Sequence, residues 1–201
     1  MTPPVLDFWF EFVSTYSYPA MMRIAPLARA AGVMLRFRPF LLGPVFKAQG
    51  WETSPFNLYA SKGRNMWRDL ERICTDLKLP FRRPEPFPQT SLLATRVALV
   101  GLDANWGEEF CRSIFRSEFC EGRKIDDASV LGDILNQLNV EQKPVFDAAQ
   151  SNAIKDKLRL QTDEALRLGI FGAPSFMTAN GELFWGNDRL ERALASAKNG
   201  R

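Results

Sequence analysis

Two serines spaced three apart, Ser14 and Ser17 in Phe12-Val13-Ser14-Thr15-Tyr16-Ser17-Tyr18, stand where a short apolar stretch gives way to a helical pattern. A helix N-terminus offers unpaired N–H donors and the positive end of the backbone dipole, so it favours an anion. A thiol, with a free pKa of about 8.5, ionises more readily in such a setting. A serine hydroxyl within hydrogen-bond reach can donate to the thiolate and hold it charged. Attack by the serine itself would need a base. The chain has no histidine, which removes Ser-His-Asp and Cys-His mechanisms and imidazole-ligated metals. It also lacks a Gly-x-Ser-x-Gly elbow, a phosphate-binding glycine loop and Gly-x-Gly-x-x-Gly. Ser14 is therefore not a hydrolase serine. The plainer reading of both serines is helix capping, a role serine favours.

The elements that would position these serines follow from periodicity. Residues 5–13 place Leu6, Phe8, Phe10 and Phe12 on one face, with Trp9 and Val13 on the other, as in a strand covered on both sides. Residues 17–31 read as a helix: Pro19 suits a first turn, Ile24, Leu27, Ala28 and Ala31 form the apolar stripe, and Gly32 suits the stop. Residues 33–40 alternate as a second strand, and strand-helix-strand with short connections implies a right-handed parallel crossover. From about Pro55 only helical patterns follow, at 66–77, 92–102, 110–119, 130–138 and 154–168. Asn105 and Asp126 or Asp127 are the expected N-caps. Strand character returns at 174–178 and 182–185 around an Ala179-Asn180-Gly181 turn, and 188–198 closes as a helix.

This outline is an α/β, thioredoxin-like fold with an inserted all-helical domain. Residues 1–55 and 166–201 form the discontinuous thioredoxin-like part, and 56–165 the insertion. The fold commonly carries Cys-x-x-Cys where this chain has Ser14 and Ser17. Hydroxyls cannot make that disulfide, so any thiol chemistry must use a borrowed thiol. The three cysteines, Cys74, Cys111 and Cys120, form no Cys-x-x-Cys and read as small apolar residues on helices.

Composition excludes other classes. A net charge of +3 on 201 residues, with dispersed basic side chains, does not suggest nucleic acid. The first ten residues lack a basic start and long apolar run, and no window nears the ~18 apolar residues a membrane span requires. A cytoplasmic protein is expected, with no metal.

Three further constellations bear on a bound thiol. In Phe171-Gly172-Ala173-Pro174-Ser175, a proline opening a strand after a long helix fits a cis bond in a loop facing Ser14. The Ala173 N–H and C=O would then point outward to pair with an extended peptide. An ordinary strand-opening proline is the alternative. Asn187 and Asp188, in Trp185-Gly186-Asn187-Asp188-Arg189, could cap the last helix or bind α-amino and α-carboxylate groups, with Trp185 packed in the core. Lys62 could meet a ligand carboxylate or be a plain exposed lysine.

Taken together, Phe12 to Tyr18, Phe171 to Ser175 and Phe184-Trp185-Gly186-Asn187-Asp188-Arg189-Leu190 resemble the DsbA-like 2-hydroxychromene-2-carboxylate isomerases, relatives of kappa-class glutathione transferases. The resemblance spans nearly the whole chain. It implies a glutathione-dependent, cytoplasmic, usually dimeric enzyme whose catalytic serine is Ser14. It further implies that Pro174 is cis, that Ala173 pairs with the cysteinyl backbone of glutathione, that Asn187 and Asp188 hold its γ-glutamyl end, and that Lys62 lies near its glycyl carboxylate. Thr15 departs from the family's usual proline and is expected to point to solvent. Pro19, where leucine is common, is expected to reshape the first helical turn. Residues 41–57, expected to wall the second substrate, match loosely. The activity implied is isomerisation of an aromatic-derived conjugated 2-oxo acid by reversible thiolate addition, with Lys47 or Arg83 as candidate carboxylate partners. A conjugate-releasing transferase, or a non-catalytic glutathione-binding protein, are the alternatives.

Overall fold

The computed structural model describes residues 3–200. Four strands form one mixed sheet in the order β2-β1-β3-β4. β1 (Val5–Phe10) and β2 (Met34–Pro39) are parallel, joined by α1 (Ser17–Ala31). β3 (Ser175–Thr178) pairs antiparallel with β1 and with β4 (Leu183–Trp185). The hairpin between them turns at Gly181, whose φ of +89° is a conformation that glycine adopts without a steric penalty.

β1 lies between two strands and is covered on both faces, which explains its near-continuous apolar sequence. Leu6, Phe8 and Phe10 enter the larger core, where Phe10 and Phe12 meet Phe115 from the helical segment. Trp9 faces the other way into a smaller core with Phe40, Val45 and Ile170. β1 stops at Phe10, three residues before the expected end, because residues 11–14 form a turn closed by the Ser14 N–H on the Glu11 carbonyl at 3.0 Å. That turn delivers Ser14 to the start of α1. Pro19 sits at the third position of α1, where an N–H has no intrahelical partner in any case, so the helix starts at Ser17 as expected.

Between the strands run α2 (Leu42–Ala48), α3 (Pro55–Leu58), α4 (Ala60–Asp76), α5 (Leu92–Leu102), α6 (Gly107–Arg116), α7 (Ala128–Gln137), α8 (Gln142–Gln150) and α9 (Asn152–Arg167). A π-helical stretch, Ser117–Glu121, extends α6, and a 3-10 turn, Asn187–Arg189, precedes α10 (Leu190–Asn199). The sequence pattern did not reveal α2 and α8. Each buries only one or two side chains, Val45 in the first and Val145 and Ala149 in the second, too few to set a visible period. Asp127 caps α7, accepting from the Ser129 N–H at 2.8 Å. Asn105 does not cap α6. The cap position belongs to Trp106, whose ring covers Gly101 and meets Phe110 edge-on, so packing rather than a side-chain cap sets the helix entry.

Candidate active site

The site lies at the C-terminal end of β1, where the turn, the first turn of α1 and the loop before β3 converge. The Ser14 hydroxyl donates to the Ala173 carbonyl at 2.8 Å, across 159 positions of sequence. The Ala173–Pro174 bond is cis, as expected, and the loop faces Ser14. The Ala173 carbonyl, expected to point outward, accepts from Ser14 and keeps a second lone pair for a further donor. Capping explains neither serine. The cap position of α1 is Tyr16, no side chain caps the helix, and the buried Ser17 hydroxyl has no partner among the described residues.

Beside Ser14 opens a cavity of about 400 Å³. Its walls are mostly apolar, with Leu42, Pro44, Phe46, Phe56, Met66 and Phe87 among them. Residues 41–57 do form one wall, as expected. Thr15 also lines the cavity and is buried, contrary to the expectation that it points to solvent; the tight turn into α1 holds it inward. No lysine or arginine is among the lining residues. Lys47 borders an adjoining depression that shares Gly43 and Glu52 with the cavity, whereas Arg83 stacks on Trp67 at 4.7 Å.

The last segment is clamped to α1. Arg23 donates to the Asn187 side-chain oxygen at 3.0 Å and to its backbone carbonyl at 3.2 Å, while pairing with Glu191 at 2.5 Å. With its oxygen so engaged, buried Asn187 has its amide N–H groups left to donate. The Gly186 N–H donates to the Pro174 carbonyl at 3.0 Å, tying this segment to the cis-proline loop. Asp188 is exposed and pairs with Arg189 at 2.6 Å; neither it nor Asn187 caps the helix through its side chain. Trp185 is not a core residue: it is 49% exposed on the short edge strand β4 and packs on Phe171 with ring centres 5.2 Å apart.

Lys62 lies within the first turn of α4 rather than before it, exposed, with its ammonium 4.6 Å from the Tyr59 ring centre. It does not line the cavity. Its helix nevertheless faces the site, because Asp69, seven residues on and therefore on the same side, accepts from the Tyr16 hydroxyl at 3.0 Å. Burial and the negative charges of Asp69 and Asp188 keep the Tyr16 phenol protonated far above neutrality.

Sequence reasoning passed over Glu11. It is 3% exposed, lines the cavity and accepts from the Ser91 hydroxyl. Burial pushes its carboxyl up to about 7, with the Ser91 hydroxyl and Val13 N–H pulling the other way. The signal was present: an acid between Phe10 and Phe12 in a largely apolar run, three residues before Ser14. Nothing local marked Glu118, which is fully buried, with neither carboxyl oxygen hydrogen-bonded among the described residues. Burial and the nearby Glu11 and Asp126 charges raise it well above the usual carboxylate range. The cysteines are poor thiolates: burial pushes Cys74 up to about 12 and raises Cys111 and Cys120 as well.

A strand-turn-helix presenting Ser14 to a cis-proline loop, in a sheet interrupted by helices, defines the thioredoxin-like class. The sequence matches the DSBA-like thioredoxin domain over residues 5–197, and the chain belongs to that family. Among curated relatives, the 2-hydroxychromene-2-carboxylate isomerase of Sphingobium xenophagum is 27% identical over 187 residues, covering 92% of this chain and 94% of the relative. Glutathione S-transferase kappa 1 of Homo sapiens is 23% identical over 202 residues, covering 94% and 88%. A solved 2-hydroxychromene-2-carboxylate isomerase superposes with a TM-score of 0.86 at 25% identity, over 98% of this chain and 95% of that one. The cytosolic disulfide reductase DsbM of Pseudomonas aeruginosa, solved with GSH, shares the fold, with a TM-score of 0.69 at 17% identity, covering 98% and 96%. These relatives support an enzyme of the isomerase or transferase kind. Among the described residues no helix is long and apolar enough to cross a membrane.

Proposed function

We propose that the protein is a glutathione-dependent isomerase of an aromatic-derived, conjugated 2-oxo acid of the 2-hydroxychromene-2-carboxylate type. One observation carries the reading: the Ser14 hydroxyl, at the N-terminus of α1, faces Ala173 beside an apolar cavity large enough for one aromatic ring system. The donor set suits glutathione. Ser14 matches a thiolate, the Asn187 amide and Asp188 carboxylate match α-carboxylate and α-ammonium groups, and the Lys62 ammonium matches a second carboxylate. Glutathione, when bound, supplies a thiolate that adds reversibly to the carbon conjugated with the 2-oxo group, so that a former double bond turns. The chain's own part is to hold charge and exclude water. Ser14 turns its proton from the Ala173 carbonyl to the sulfur, and the α1 N-terminus adds about half a positive charge. Arg23 holds the Asn187 amide in one orientation. Phe46, Phe56 and Phe87 enclose the aromatic ring, and Lys47, in the adjoining depression, is the candidate partner of a substrate carboxylate. The same reading makes the enzyme a cytoplasmic homodimer, with the family likeness as its support.

Ser14→Ala tests it. A hydrogen bond to a charged group contributes about 1.5–3 kcal/mol, so the pKa of bound glutathione's thiol should rise by about one to two units. Ultraviolet titration of the thiolate in the saturated complex reads this directly, and isomerase turnover at neutral pH should fall about 10- to 100-fold. A bound thiol that titrates like free glutathione in the unaltered protein would remove the reading.

A further inference from the structure

We infer that the buried Glu11 carboxyl is the proton donor and acceptor for the carbonyl oxygen of the molecule held in the cavity, a role resting on the isomerase reading above. Glu11 and Ser14 are two ends of one turn and line the same cavity. Charge that develops on a conjugated carbonyl oxygen must be neutralised there, and no lysine or arginine lines the walls. Glu52, the other acid in the lining, is exposed, which leaves Glu11 as the enclosed one. A structural carboxylate in an apolar wall would be expected in an ion pair; among the described residues Glu11 forms none and has only the Ser91 hydroxyl as side-chain partner. Near it lies Glu118, on the π-helical stretch, whose carboxyl has no hydrogen-bond partner among the described residues and has to remain neutral. The groups acting on this pair are thus Ser91 from the loop before α5, the Val13 N–H from the turn, and Asp126 from the loop before α7. Burial pushes the Glu11 carboxyl up to about 7, close to the pH at which a general acid-base group is most effective.

For the ring-opened oxo acid, in which the hemiketal hydroxyl has become the carbonyl and its proton has passed to the phenol oxygen, the proton balance of sulfur addition and loss closes on Glu11 alone. While a carbon–sulfur bond forms at the conjugated carbon, the carbon–carbon π pair moves toward the carbonyl carbon and the carbonyl pair takes the Glu11 proton. The Glu11 O–H bond breaks, an O–H bond to substrate forms, and a carboxylate remains. When the carbon–sulfur bond breaks, that carboxylate recovers the same proton. Neither Glu11 nor glutathione is consumed.

The test compares the unaltered protein with Glu11→Gln and Ser91→Ala. The first readout is calorimetric binding of 4-phenyl-2-oxobutanoate, a saturated aryl oxo acid that cannot take up sulfur. The second is glutathione-dependent turnover of 2-hydroxychromene-2-carboxylate. In the unaltered protein, affinity for the saturated acid should weaken as pH rises through the Glu11 titration; in E11Q it should not change with pH. Turnover by E11Q should fall ~100-fold, lose the limb that declines at high pH, and leave glutathione affinity unchanged. Should E11Q fail to fold, S91A carries the test: losing the hydroxyl that favours the carboxylate must move the binding midpoint upward. Binding independent of pH in the unaltered protein, full E11Q turnover, or an unmoved S91A midpoint overturns the inference. If binding follows the expected course but no glutathione-dependent turnover exists, the proposed function fails while the Glu11 contact with the carbonyl stands.

Discussion

Glu11→Gln should flatten the pH dependence of stability. Between 4.5, its ordinary value, and about 7, the Glu11 carboxyl is protonated in the fold and ionised in the unfolded chain. Unfolding therefore releases a proton across that window, and raising the pH favours unfolding. The contribution is fully present below 4.5 and lost as pH climbs through about 7. Each pH unit of separation is worth ~1.4 kcal/mol, so this one group removes about 3 kcal/mol of stability between about pH 4 and about pH 8. Gln keeps the shape and cannot ionise, so the unaltered protein should lose about 3 kcal/mol relative to E11Q over that interval. Glu118 slopes the same way in both proteins, and the Glu11 charge adds to its shift, so the difference between them reports Glu11 together with its action on Glu118. Urea unfolding followed by tryptophan fluorescence at several pH values gives it directly. Curves that stay parallel within ~0.5 kcal/mol would show that Glu11 is not protonated in the fold, and the reasoning from its burial would be wrong.

Two other outcomes follow from packing. Cys74, Cys111 and Cys120, with thiol pKa values raised by burial, should resist iodoacetamide at neutral pH in the native protein and react on unfolding, as intact-mass spectra will show; rapid native labelling of any of them would contradict it. Gly107 lies where α6 crosses α5, and a methyl group there would run into the backbone of Gly101 and Leu102. Gly107→Ala should cost about 2–4 kcal/mol in urea unfolding, since backbone on both sides cannot yield as a side chain would.

Much of the architecture was local information. Phe8, Phe10 and Phe12 alternate and Ile24 and Ala28 recur at helical spacing, so β1 and α1 are written in short windows of sequence. The residues of α8 bury too little to leave such a trace, and the cap of α6 was misplaced because Trp106 packing outweighs the capping preference of Asn105. For the site, the chain itself told that no histidine or Cys-x-x-Cys takes part, that hydroxyls occupy the strand-helix junction, and where a cis-proline would lie. Only tertiary structure decided that the Ser14 hydroxyl meets Ala173, that Thr15 turns inward and Trp185 outward, and that Glu11 and Glu118 are buried near each other with no ion-pair partner among the described residues. Periodicity is imposed by backbone geometry over a few residues and can be read one segment at a time. The ionisation of a carboxyl depends on what surrounds it in space, and for Glu11 that is its burial and the Ser91 hydroxyl, brought from 80 positions along the chain.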